Sequence, residues 1–208
     1  MESHTHADPH APIEEMPESP DYFDVLQMAI REILVEKGLI GADEVRAMIE
    51  TLDAHEPAHG SALVAHAWSD PAFKERLLAD GTAAIKEFGI DNYDGTHLIV
   101  LEQTPDTHNL VVCTLCSCYP RPVLGLPPDW YKSRPYRARA VREPRALLAE
   151  FGTHVPDDVT IRVHDSNANM RYLVLPMRPE GTDGWSEEQL AELVTRDAMI
   201  GVTTARKP

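Results

Sequence analysis

Cysteine is scarce in this 208-residue chain, and the three it has fall within one six-residue window, Cys113 to Cys118. An odd number of thiols in one tight loop cannot staple distant elements, which excludes a disulfide framework. Basic residues are also short: 19 Lys and Arg stand against 34 Asp and Glu, for a net charge of -15. Nucleic acid is thereby excluded as a partner, because phosphate binding requires a cationic surface. No apolar run approaches the length that spans a bilayer. The first residues are polar and acidic, unlike a signal peptide, so a cytoplasmic location is expected. There is no internal repeat. What is present, 43% hydrophobic and 25% charged residues, is ordinary for a soluble protein able to bury a sizeable core. The length suits one globular domain with an arm, or two small domains.

Residues 1–19, rich in acids and carrying His4, His6 and His10, have little to bury and are expected to form a disordered leader. Ser19-Pro20 is a helix start, with the serine as N-cap and proline in the first turn. Phe23, Leu26, Ile30, Ile33 and Leu34 then follow helical spacing up to Gly38. Further helices are expected over 42–54 and 61–68, from Asp70-Pro71 to Asp80, and over 83–88, making 20–90 a helical arm. From residue 91 the composition changes to an α+β domain running to 208. Thr96 to Leu101 and Asn109 to Val112 read as short strands around Thr104-Pro105-Asp106, and Val159 to His164 and Arg171 to Pro176 as two more. A helix is expected over 144–151, and Ser186-Glu187-Glu188-Gln189 opens a last one, ending near Arg196. Directly after the cysteines, Arg121, Lys132, Arg134, Arg137, Arg139, Arg142 and Arg145 form a basic stretch. It reads either as a solvated face or as arginines that pair with anions near the cysteines or across a subunit interface.

The cysteines form C-x-x-C-x-C within Val112-Cys113-Thr114-Leu115-Cys116-Ser117-Cys118-Tyr119. Inert, buried thiols explain scattered cysteines well and this cluster poorly. Thiolates select soft or borderline metals. Structural zinc wants a fourth Cys or His, for which His108 is the nearest candidate, and an iron–sulfur cluster usually wants four cysteines. What remains is a metal held by three thiolates of one loop. The backbone nitrogens between Cys116 and Cys118 would lie near it, a donor set that favours a trivalent Lewis-acidic ion with one open position.

The eight-residue segment resembles the metal-binding motif of the nitrile hydratase α subunit. The resemblance continues through Leu124-Gly125-Leu126-Pro127-Pro128-Asp129-Trp130-Tyr131-Lys132, Tyr136-Arg137-Ala138-Arg139, Glu143-Pro144-Arg145, and the run from Arg178-Pro179-Glu180-Gly181 to Trp185. It implies a helical arm followed by a layered α/β globular domain. In that family Thr after the first cysteine and Tyr after the third mark the cobalt branch, and Thr114 and Tyr119 match. Carried over, Cys113, Cys116 and Cys118 with the amides of Ser117 and Cys118 would hold one Co(III). Cys116 would be a sulfinate and Cys118 a sulfenate whose oxygen acts as nucleophile or base. Those oxygens would need arginines from a companion β-type subunit, and an activator protein would assist metal insertion. The implied activity is hydration of a nitrile to its amide.

Two positions depart from the common pattern: Arg121 stands where Trp is usual, and Asp94 falls about where a Gln lies near the site. Trp walls an apolar pocket, whereas Arg supplies a fixed charge and a fork of donors for an anion. Arg here resembles the γ subunit of thiocyanate hydrolase, a cobalt enzyme of the same superfamily that converts thiocyanate to carbonyl sulfide and ammonia. Arg121 and Asp94 are therefore the candidate substrate-pocket residues. A structural alternative pairs Arg121 with Asp129 or Glu102. A non-enzymatic alternative makes the chain a metal-storage module.

Overall fold

The computed structural model describes residues 22–53, 56–116 and 118–208. The expected leader and the Ser19-Pro20 helix start lie outside the described residues. The chain divides after Leu52 into two compact units.

The first unit contains α1 (Tyr22–Glu36) and most of α2 (Ala42–Asp53). Gly38, with φ +64°, sits in the left-handed region just past the end of α1, where a side chain would be strained. The apolar residues at helical spacing, Phe23, Leu26, Ile30 and Ile33, are largely exposed.

The second unit begins with α3 (Pro57–Ser69), α4 (Pro71–Ala79) and α5 (Gly81–Glu87). Asp70 ends one helix and starts the next, its carboxylate accepting from the backbone N–H of Ala72 at 2.9 Å and Phe73 at 3.0 Å. The sequence reading placed these helices in an arm reaching to residue 90. They are instead grouped with the globular unit, because Leu63, Val64, Phe73, Leu77 and Ile85 are buried in its core. Gly60 allows the close approach, since a Cβ there would lie 2.7 Å from the Met199 sulfur and 2.8 Å from Leu124.

Four strands follow the α+β expectation, with pairing that the order of the elements does not suggest. β1 (His97–Glu102) runs parallel to β4 (Met170–Leu175), and β2 (Thr107–Val112) runs parallel to β3 (Thr160–Asp165). Neither sequential pair closes as a hairpin; each two-stranded sheet joins segments far apart in the chain. The sheets are tied by side chains standing in for ladder bonds. Gln103 Oε1 accepts from Asn109 N–H at 2.5 Å and its Nε2 donates to Asn109 O at 3.2 Å. Asn109 Nδ2 donates to Glu102 O at 2.8 Å, and Asn109 Oδ1 accepts from His164 Nε2 at 2.9 Å.

Between β2 and β3 lie the cysteine loop and four helices: α6 (Arg121–Leu124), α7 (Asp129–Lys132), α8 (Arg134–Arg142) and α9 (Pro144–Glu150). The reading of the basic stretch as charge alone missed α8. Ser133 caps it by accepting from Tyr136 N–H at 3.2 Å, and Tyr136 and Ala140 are its buried face. The C-terminal helix divides into α10 (Glu187–Ala191) and α11 (Arg196–Ile200), because Thr195 caps a new turn at Ala198 N–H. The capping box of Ser186 and Gln189 is formed as expected. No helix among the described residues is long and apolar enough to cross a membrane.

His108, on β2, is buried and its Nε2 donates to Gly201 O at 2.7 Å, fastening the end of α11 to the strand. Burial lowers its pKa, opposed in part by the Gly201 hydrogen bond, and burial likewise lowers that of His164. A histidine whose folded pKa is depressed contributes stability above its unfolded value, and loses it as pH falls toward the folded one. Stability is therefore expected to decline below about pH 6.5, the ordinary histidine value. Replacing His108 by Gln should make denaturant midpoints less steep in pH there, with His164 retaining part of the slope. An unchanged pH profile in the variant would contradict a buried neutral His108.

Candidate metal centre

The loop begins where β2 ends. Leu110, Val111 and Val112 are wholly buried, and the strand delivers Cys113, 1% exposed, at the end of this apolar run. The chain then turns outward, leaving Leu115 86% exposed and Cys116 exposed, before Cys118 returns half-buried and Tyr119 is buried again. The sulfurs of Cys113 and Cys116 are 3.4 Å apart and those of Cys116 and Cys118 are 3.1 Å apart. All three lie within 4.8 Å of one another.

These separations fit three donors around one ion. With metal–sulfur bonds of about 2.3 Å, sulfurs at right angles sit about 3.2 Å apart and tetrahedral ones about 3.8 Å. Both separations lie nearer the right-angle value than the tetrahedral one. His108, the nearest candidate for a fourth zinc ligand, is committed to Gly201 O. Burial first, then the neighbouring Cys116 and Cys113 thiols, push Cys118 up to about 12, with Arg171 opposing. Without a cation Cys118 is thus held as a thiol; a bound ion would reverse this by stabilising the thiolate.

Three contacts hold the loop from outside. The Asp165 carboxylate at the end of β3 accepts from Thr114 N–H at 2.9 Å and Thr114 Oγ1 at 2.5 Å. Tyr131 OH donates to Cys118 O at 2.9 Å. Arg137 Nη1 donates to Thr114 O at 3.5 Å and Cys116 O at 3.4 Å. Sequence reading found none of these roles. Arg137 carried a partial signal as one member of the basic stretch, whereas Asp165 and Tyr131 carried none. Of the other basic residues, Arg139 pairs with Glu143 and Glu150, Lys132 with Asp129, and Arg145 binds the carbonyls of Val155, Pro156 and Val159. One arginine of the stretch, Arg137, thus reaches the cysteine loop, through backbone carbonyls.

Ser117 lies outside the described residues. Arg121 opens α6, three residues after Cys118, and its side chain is half-buried with no hydrogen bond or ion pair among the described residues. The partners considered for it are taken: Asp129 by Lys132 and Glu102 by Lys74. Asp94, in the turn before β1, accepts through Oδ1 from Thr96 N–H at 3.0 Å and Thr96 Oγ1 at 2.7 Å. The Tyr93 phenol senses both: burial and then Asp94 raise its pKa, and Arg121 lowers it. A cavity of about 720 Å³ lies elsewhere, lined by Gln103, His108, Thr153 and Arg178 among others, and none of the cysteines borders it.

Residues 21–203 match the family model of the nitrile hydratase α chain. The low-molecular-weight cobalt-containing nitrile hydratase subunit α of Rhodococcus rhodochrous is 51% identical over 96% of this chain and 97% of its own length. The thiocyanate hydrolase subunit γ of Thiobacillus thioparus is 47% identical over 92% of this chain and 83% of its own. Among solved structures, a thiocyanate hydrolase mutant with an arginine-to-tryptophan replacement superposes with TM-score 0.85. It is 46% identical and covers 90% of this chain and 92% of its own.

The burial gradient along the loop predicts an order of thiol reactivity. In the metal-free protein an alkylating reagent should label Cys116 first, Cys118 slowly, and Cys113 only on unfolding, as read by peptide mass spectrometry. Equal labelling of Cys113 in the folded protein would contradict this placement.

Proposed function

The chain belongs to the nitrile hydratase α-chain family, and on that footing we propose that it is the metal-bearing subunit of a cobalt nitrile hydratase, adding water to a nitrile to give the amide. The observation that carries the reading is the convergence of the sulfurs of Cys113, Cys116 and Cys118 within 4.8 Å in a loop whose Thr114 and Tyr119 match the cobalt type. In this reading those cysteines, with the amides of Ser117 and Cys118, hold one low-spin Co(III), and Cys116 and Cys118 are oxidised to sulfinate and sulfenate. Bound there, the ion supplies Lewis acidity toward a small unsaturated substrate.

The chain's own groups hold the site rigid. Cys113 is the buried anchor, Asp165 clasps Thr114, and Tyr131 restrains the Cys118 carbonyl. Cys118 is half-buried at the loop's return, so an oxygen on its sulfur is the base placed to accept a proton from the attacking water. A companion subunit completes the pocket and brings arginines to the oxidised sulfurs. Support for such a partner comes from the exposed Leu115 beside the sulfurs, from exposed Leu126 and Val141, and from the uncovered stripe on α1. An activator protein for metal insertion belongs to the same reading, as does a cytoplasmic location.

A second reading, the γ subunit of a thiocyanate hydrolase, is favoured by Arg121 alone. A half-buried guanidinium with no partner among the described residues suits an anionic substrate better than a neutral one.

The test is an assay of the co-expressed complex on a small aliphatic nitrile and on thiocyanate, with and without Arg121→Trp. Nitrile turnover that rises in the variant, with thiocyanate inert, is expected. Turnover of thiocyanate without nitrile would transfer the assignment to the second reading. One cobalt per chain in a stable hetero-complex is expected, whereas several loosely held metals on a monomer would indicate storage. Mass spectrometry of the active enzyme should find Cys116 and Cys118 oxidised, and three plain thiols there would remove the oxidised claw.

A further inference from the structure

Helix α8 is fixed at both ends before its arginines are considered. Ser133 caps its start, the buried Tyr136 donates its hydroxyl to Val111 O at 2.6 Å, and Arg139 ties its last turn to Glu143 and Glu150. Val111 lies two residues before Cys113, so the helix is registered directly against the strand that supplies the first sulfur. From this base Arg137, one residue beyond Tyr136, places Nη1 between the carbonyls of Thr114 and Cys116.

The charge on Arg137 is otherwise uncompensated. No carboxylate among the described residues pairs with it, and its Nε is buried without an acceptor. Burying part of a guanidinium without a counter-charge is costly, so such a group is retained where an anion forms. The site beside it is where the three cysteine sulfurs gather. The backbone contacts add direction, because they set where the Thr114 and Cys116 carbonyls face.

We propose that Arg137 is a positioning residue for the metal loop, bridging Thr114 O and Cys116 O so that sulfurs and backbone are set for the ion before it arrives. The inference rests on the metal-bearing reading above and adds to it a residue of this chain that does not itself touch the metal. Outer groups of this kind commonly change metal affinity by about 10- to 100-fold when removed. Arg139, on the same helix and paired with carboxylates, provides the control for a purely structural effect.

The experiment uses the complex co-expressed with its companion subunit, in parent, Arg137→Gln, Arg137→Lys and Arg139→Gln forms. Three quantities are read: cobalt per chain, the sulfur-to-metal charge-transfer band, and the thermal midpoint. Arg137→Gln should weaken cobalt retention against a chelator by about 10- to 100-fold and displace the band, with a thermal midpoint no lower than that of Arg139→Gln. Arg137→Lys should recover part of the retention through its charge, with the band still displaced, because one ammonium cannot reproduce the guanidinium fork. Parental retention and band in Arg137→Gln would overturn the proposal. If that variant fails to assemble, a parental band in Arg137→Lys overturns it instead. A parent complex without cobalt would remove the metal-bearing reading itself, an outcome distinct from either.

Discussion

Three sulfurs drawn from six consecutive residues repel one another as soon as they ionise. At separations near those found here, a pair of like charges costs about 5 kcal/mol even at an effective dielectric of about 20. The folded loop can carry that charge only around a cation, and without one Cys118 is held as a thiol far above its ordinary range. The surroundings answer this constraint. A buried strand fixes Cys113, a carboxylate clasps Thr114 by both its N–H and its hydroxyl, Tyr131 holds the returning carbonyl, and Arg137 brings positive charge to the outer face. None of these groups competes for the sulfurs' open side. The aromatic cluster behind them, in which Trp130 and Tyr136 both meet Phe151 edge-on, keeps the scaffold stiff while the loop tip stays exposed.

The parts of this design that were legible in the sequence are those governed by near neighbours. Asp70-Pro71 announced α4 because an N-cap acts over three residues, and the Ser186 capping box announced α10 for the same reason. The metal loop was legible because all its side-chain sulfur donors sit in one short run. Tertiary features were not. The parallel pairing of β1 with β4 and β2 with β3 depends on segments more than fifty residues apart, and no local pattern distinguishes it from two hairpins. The grouping of α3 to α5 with the core was hidden in the same way, since amphipathic helices read alike in an arm and in a globular unit. Helix α8 was masked by its arginines, whose number drew attention from the Tyr136 and Ala140 spacing beneath them. Asp165 could not be found at all, because nothing in a strand's last residue reveals which loop it will meet.

The same separation between local and distant bears on the proposal that the site is completed by another chain. A cavity large enough for a substrate is lined by residues remote from the cysteines, while the loop itself projects Leu115 outward. A metal loop that presents an apolar tip to water is stabilised when another surface covers it, and covering it also excludes water from the charged cluster. Together with the exposed residues of α1, this is the architectural support for the companion chain proposed above. Relatives at this level of identity are named as subunits, in agreement with that proposal.

What separates the two substrate readings is the charge balance around Tyr93. The common nitrile hydratase pattern places two neutral side chains where this chain has Asp94 and Arg121. The two departures carry opposite sign, and both act on the same phenol. Asp94 Oδ1 is engaged with Thr96, and no ion pair joins Asp94 to Arg121 among the described residues. In the proposed reading, a compensated pair would change the polarity of a pocket wall without changing its net charge, and would suit a neutral nitrile. An uncompensated Arg121 would instead draw an anion. With Asp94 turned to its own loop, the guanidinium has no carboxylate partner among the described residues. That is the physical argument for thiocyanate as the competing substrate in the reading proposed above.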